Sequence, residues 1–150
     1  MKTYVLCTTL EQHSIDTLKN LKGRLDLSNA IVHFVTIFEI KTYNLDLIPF
    51  FYPVEEQYAE MKNAAEGIIQ SLADDLEIKK DNTVISCFFE SNRETKIKKY
   101  LKEVEADLVV TATRGKHGID GFFSSSFTEF LCKFSPCDVL VMRPRMELTK

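Results

Sequence analysis

Residues 107–131 read Asp-Leu-Val-Val-Thr-Ala-Thr-Arg-Gly-Lys-His-Gly-Ile-Asp-Gly-Phe-Phe-Ser-Ser-Ser-Phe-Thr-Glu-Phe-Leu, and they gather the side chains best suited to chemistry. An apolar, strand-like run is followed by a loop with Gly115, Gly118 and Gly121 set among Arg114, Lys116 and His117. A helical stripe then begins behind Ser124-Ser125-Ser126. Glycines let backbone N–H groups converge, and a helix N-terminus adds unpaired donors and the positive end of its dipole. That combination suits an anion. Arg114 and Lys116 bring charge, and Ser125, Ser126 and the Phe127 N–H form the helix start. A plainer reading stays open: Ser126 and Glu129 make a capping box for a helix from Phe127 onward, and the glycines serve only the turn.

No catalytic set accompanies this loop. The sequence has no Gly-x-Ser-x-Gly elbow, no Gly-x-x-x-x-Gly-Lys-Ser/Thr, and no Gly-x-Gly-x-x-Gly after its first strand. His117 fits a solvated loop, His33 a satisfied place within a strand, and His13 a helix start. Acidic residues such as Glu55-Glu56 and Asp74-Asp75 fit solvated helix faces. Cys7 and Cys87 lie in apolar runs as small hydrophobes, while Cys132 and Cys137 lack the spacing of a zinc pair. Neither a catalytic residue nor a metal ligand is expected. An adenylyl-transferring enzyme would need a reactive constellation that the sequence does not display. Nor does the first strand end in the acidic pair of a receiver domain, since Thr8-Thr9 stands there.

The elements that must position the loop follow from periodicity. Near-continuous apolar, β-branched runs at Thr3–Thr8, Ala30–Phe38, Thr83–Phe89, Asp107–Thr111 and Asp138–Met142 read as parallel strands covered on both faces. Between them lie four helical stripes: Ile15, Leu18, Leu21, Leu25; Val54, Tyr58, Met61, Ala65, Ile68, Leu72; Ile97, Tyr100, Leu101, Val104; and Phe127, Phe130, Leu131, Phe134. Ser91 with Glu94 reads as a second capping box, and Pro136 stops the last helix. The expected fold is α/β: a doubly wound five-stranded parallel sheet of order 3-2-1-4-5, with helices on both faces (Rossmann-like) and right-handed crossovers. One domain over 1–150 is expected. Only Glu39–Tyr52 reads as irregular, and it is more apolar than a free loop needs; it either packs over the strand ends or lines a pocket or partner surface.

In such a sheet, ligands bind beyond the carboxyl ends of the strands where the winding reverses, here between the first and fourth strands. Cys7, Thr8, Thr9 and Leu10 would wall one side, with Thr111, Ala112, Thr113, Arg114 and Gly115 on the other. The candidate anion or nucleotide set is therefore Thr8, Thr9, Thr111, Ala112, Arg114, Gly115, Lys116, Gly118, Ser125, Ser126 and Phe127.

With those residues in view, the chain resembles the universal stress proteins from end to end, most closely over Asp107–Arg143. Nucleotide-binding members of that family carry Gly-x-x-Gly, nine residues, then Gly-Ser or Gly-Thr. This sequence keeps the spacing as Ala112-x-x-Gly115, nine residues, then Ser125-Ser126, and closes on Ser135-Pro136-Cys137-Asp138-Val139-Leu140-Val141. The resemblance implies a regulatory stress-response protein acting by binding, with ATP, another nucleotide or phosphate as its ligand class. It also implies a homodimer paired through Val139, Leu140, Val141, Met142 and Arg143. Three departures weaken ATP. Ala112 and Ser125 replace motif glycines, and Thr9 stands where ATP-binding members place an aspartate. A methyl at a close backbone approach costs about 1–3 kcal/mol, and a lost charge-assisted hydrogen bond about 1.5–3 kcal/mol. Partial additivity leaves about 3–4 kcal/mol, which moves a micromolar site toward millimolar. A true ATP binder with nucleotide-gated signalling or slow hydrolysis is the alternative.

Composition sets the remaining bounds. A net charge of −3 over 150 residues gives no general attraction to nucleic acid or to an anionic membrane. No apolar stretch is long enough to span a bilayer, and four cysteines with no disulfide framework suit a reducing cytoplasm. A protein partner is compatible with all of this.

Overall fold

The computed structural model describes residues 1–45, 48–113 and 119–145, with the side chains of 45, 48 and 119–126 outside the description. In chain order the elements are β1 (Lys2–Cys7), α1 (Gln12–Lys19), β2 (Ala30–Glu39), β3 (Lys41–Leu45), β4 (Ile48–Tyr52), α2 (Glu55–Asp75), β5 (Thr83–Glu90), α3 (Arg93–Glu103), β6 (Leu108–Ala112), α4 (Ile119–Phe134) and β7 (Asp138–Met142). Five strands form one sheet in the order β5-β2-β1-β6-β7, all parallel. This is the expected 3-2-1-4-5 order of a Rossmann-like α/β fold.

Strand alternation explains why the runs are apolar throughout. Along β1, Leu6 faces a cluster with Phe34, Val110, Ile15, Leu18, Ile69 and Leu72, under α1 and α2. Val5 faces the opposite cluster with Val35, Val109, Ile97, Leu101 and Leu131, under α3 and α4. Each fully buried Leu or Phe contributes about 1.5–3 kcal/mol, and a strand covered on both faces needs such residues at successive positions. Asp107 fastens the start of β6 to β1: its carboxylate accepts from the Thr3 N–H at 2.8 Å, and its own N–H donates to the Thr3 carbonyl at 2.8 Å.

Several local expectations are corrected. Glu39–Tyr52 is not irregular: it contains an antiparallel hairpin, β3 with β4, pairing Lys41 with Tyr52 and Tyr43 with Phe50. Pro49 is tolerated because a two-stranded ribbon consists of edges. Phe51 and Tyr52 are 60% and 53% exposed, so they do not pack over the strand ends. In α2 the buried face is Ala65, Ile69, Leu72 and Ala73, while Ile68 and Val54 are exposed. α1 ends at Lys19, so Leu21 and Leu25 follow it in turns, helped by the positive φ of Gly23. The cap of α3 is Asn92, whose side chain accepts from the Thr95 N–H at 3.0 Å, one residue after the expected Ser91. α4 begins at Ile119, so Ser126 is inside the helix rather than its cap, and Glu129 pairs with Lys133 at 2.8 Å. Phe134 of its expected stripe is exposed.

α2 and α3 both end in a Schellman turn. Ile78 N–H donates to the Ala73 carbonyl and Ala106 N–H to the Leu101 carbonyl, with Glu77 (φ 59°) and Glu105 (φ 51°) in the left-handed conformation. Glycine is the usual residue there, because a Cβ costs about 1–2 kcal/mol in that region. Glu77 is held by an ion pair to Lys22 at 2.9 Å. Replacing Glu105 by Gly removes the strain and adds about 0.5–1 kcal/mol of unfolded-chain entropy. Glu105→Gly is therefore expected to stabilise the fold by about 0.5–1 kcal/mol, read as a rise in the urea midpoint with unchanged slope.

His33 sits on β2 with its Nδ1 2.8 Å from the Tyr100 hydroxyl, which lies 3.1 Å from the Ser86 hydroxyl. It is satisfied within its strand, as expected, and burial holds its pKa below the ordinary histidine value. The folded state thus takes up a proton later than the unfolded chain as pH falls. His33 then contributes stability above the unfolded pKa of about 6.5, and that contribution is lost as pH drops through the folded value. Urea unfolding between pH 7.5 and 5.5 should show stability declining, and His33→Gln should flatten that slope.

Candidate ligand-binding site

α1 and α2 return the chain on one face of the sheet, and α3 and α4 on the other, so the winding reverses between β1 and β6. A crevice of about 310 Å³ opens there, at the carboxyl ends of the strands. This is where a doubly wound sheet places its ligand, and the volume lies at the small end of the range for small-molecule sites.

The structure brings Thr8, Thr9, Thr111, Ala112 and Phe127 to the crevice wall. Their chemistry differs from what residue type alone suggests. Thr8 is buried and its hydroxyl stands 2.6 Å from that of Thr36 and 3.3 Å from the Val35 carbonyl, while its N–H donates to the same carbonyl at 2.9 Å. It ties β1 to β2. Thr111 is likewise buried, with its hydroxyl 3.4 Å from that of Thr128 on α4. Thr9 is exposed at the mouth, and Ala112 ends β6 half-buried. Arg114, Gly115, Lys116, His117 and Gly118 lie outside the described residues, as do the side chains of Ser125 and Ser126.

The crevice also recruits residues that the sequence analysis missed. Glu11, His13 and Ser14 come from the start of α1, Val35 and Ile37 from the end of β2, and Arg93 from the first position of α3. Applying the strand-end rule to β2 and β5 would have pointed to the last three. His13 Nε2 is 3.2 Å from a Glu11 carboxylate oxygen. Arg93 Nε is 3.5 Å from Glu39, and its guanidinium carbon lies 5.2 Å from the centre of the Phe127 ring. Cys7 faces the same space, and burial pushes its thiol up to about 12, so it is a neutral wall rather than a nucleophile near pH 7. The described lining is therefore apolar toward β2 and hydroxyl-bearing toward β6, with the planar cation of Arg93 at the rim.

Residues expected to pair two copies lie on β7 and just beyond it. Val139, Leu140 and Val141 are half-buried, Met142 is buried and Arg143 exposed; β7 pairs with β6 on one side only. Among the described residues, no three His, Cys, Asp or Glu side chains gather as a metal site. No described helix is long and apolar enough to cross a membrane.

Comparison with known proteins places this geometry in a family. The model of the universal stress protein family matches residues 6–143. A putative universal stress protein of Staphylococcus saprophyticus is 41% identical over 46 residues, a match spanning 31% of this chain and 28% of the relative's length. Among solved structures, a universal stress protein in complex with cAMP aligns over 96% of this chain and 98% of its own, at 20% identity and a TM-score of 0.60. The universal stress protein from Archaeoglobus fulgidus in complex with dAMP aligns over 95% and 98%, at 12% identity and a TM-score of 0.63. With strand order, crevice and family match in agreement, the chain belongs to the universal stress protein family.

Proposed function

We propose that this protein is a cytoplasmic stress-response regulator that works by binding rather than turnover, as a dimer, with its crevice as a weak nucleotide site. The observation carrying this reading is the open crevice of about 310 Å³ at the reversal point. The described side chains do not fill it, as they would if this end of the sheet served only for packing. Relatives of the same fold that hold cAMP and dAMP make a nucleotide the natural occupant. Weakness follows from this chain's own residues. Thr9 offers a neutral hydroxyl where a carboxylate would grip ribose, and the Ala112 methyl stands at the crevice wall. The Thr8 and Thr111 hydroxyls already face protein partners. The segment of Arg114, Gly115, Lys116 and Gly118 remains the proposed phosphate end, with Ser125 and Ser126 contributing from within α4 rather than from its start. The sequence carries none of the nucleophile or phosphate-loop motifs sought in it, which favours binding over catalysis.

Calorimetric titration with ATP and magnesium should give a Kd near millimolar. The double substitution Thr9→Asp, Ala112→Gly should tighten it by about 10- to 100-fold, following about 1.5–3 kcal/mol of recovered interaction. Micromolar ATP binding by the natural chain would overturn the weak-site reading and favour nucleotide-gated signalling.

The dimer is proposed through β7. No described strand pairs with its outer edge, and an apolar edge strand needs cover. Antiparallel pairing of Val139–Arg143 with a second copy would extend the sheet across both chains. Sedimentation equilibrium should give twice the mass of the chain, and a monomer at high concentration would reject this arrangement.

A further inference from the structure

Arg93 is the feature of the crevice that its general form does not explain. It is the first residue of α3, directly beyond the end of β5, and is one-third exposed at the rim. Two contacts fix it. Glu39 takes its Nε side at 3.5 Å, and the guanidinium lies against the Phe127 ring with 5.2 Å between its carbon and the ring centre. No hydrogen bond to a described residue occupies its two Nη groups. The result is a held, planar pair of donors at the apolar end of the crevice, beside Ile37 and Phe127.

We infer that Arg93 selects the base of the bound nucleotide and that it selects guanine over adenine. The inference rests on the nucleotide reading of the crevice and adds the identity of the base. The base belongs at the apolar end, because its ring is the part of a nucleotide that gains from Ile37 and Phe127, while ribose and phosphate suit the other end, where Thr9 is exposed. A guanidinium offers donors only, in a fixed fork. Guanine presents two acceptors, O6 and N7, on one edge at the spacing of that fork. Adenine presents N7 beside an amino group, so one of the two Arg93 donors meets another donor. The Glu39 contact is made through Nε and leaves the Nη pair without a hydrogen bond to a described residue. The Nε contact and the Phe127 ring instead hold the fork in place before ligand arrives, which lowers the ordering cost of binding.

The test is calorimetric titration of the full chain with GMP, AMP, guanosine and adenosine. GMP should bind about 10- to 100-fold more tightly than AMP, the range of one bidentate contact. The preference should persist between the two nucleosides, since the fork reads the base and not the phosphate. Arg93→Gln should abolish or reverse it, because a carboxamide matches adenine N6 and N7. Arg93→Lys keeps the charge without the fork and should also lose the preference, with thermal melts confirming that both variants fold. AMP binding as tightly as GMP, or a preference kept by Arg93→Lys or lost in the nucleosides, overturns the base assignment alone. Failure of all four ligands to bind overturns the nucleotide reading and this inference with it.

Discussion

Everything in this molecule hangs on β1, the strand that pairs in parallel with β2 on one side and β6 on the other. Its residues must satisfy two ladders and two buried faces at once, which leaves them little chemical freedom. Val5 and Leu6 are wholly buried on opposite faces. The strand is pinned at both ends by polar contacts: Thr3 to Asp107 where it begins, and Thr8 to Val35 and Thr36 where it ends. Because the helices to either side of β1 return on opposite faces, no described helix roofs its carboxyl end. The crevice is the geometric remainder of that winding.

That origin shapes the chemistry available. Hydroxyls nearest the strand ends are spent on the scaffold, as Thr8 and Thr111 show. The rest of the described lining comes from elements that arrive from farther away: α1 with Glu11 and His13, the end of β2 with Ile37, and α3 with Arg93. The only guanidinium lining the described crevice is anchored by Glu39, the last residue of β2, and by Phe127 of α4, so three elements must fold together to orient it. Cys7, raised to about 12 by burial, contributes shape and low polarity rather than reactivity.

The sheet was legible because its signal is redundant. Five β-branched apolar runs, each bounded by polar turns, fix strand positions to within a residue or two, and the two-face burial of β1 or β2 repeats the same demand at every position. Helix faces and caps were less legible, because their signals are single residues. Ser91 and Asn92 are both competent caps, and only the path of β5 into α3 selects Asn92. Ile68 and Ile69 are equally apolar, and only the angle of α2 on the sheet buries one and exposes the other. The β3–β4 hairpin has neither a glycine turn nor clean alternation, and Pro49 within it argues against a strand until the ribbon is seen to have no outer neighbours.

By itself, the sequence determined the parallel sheet, its order, the reversal point and the family, because these follow from hydrophobic burial and motif spacing along one chain. It also marked Thr9, Ala112 and Ser125 as departures from the nucleotide-binding pattern of that family. Tertiary structure alone decided that the crevice is open and that Thr8 and Thr111 are turned to scaffold partners. It alone brought Arg93 beside Phe127, since these residues are far apart in sequence and meet only when α3 and α4 pack on the same face of the sheet. Contacts of that kind carry no periodicity and no spacing, so no reading along the chain can reach them.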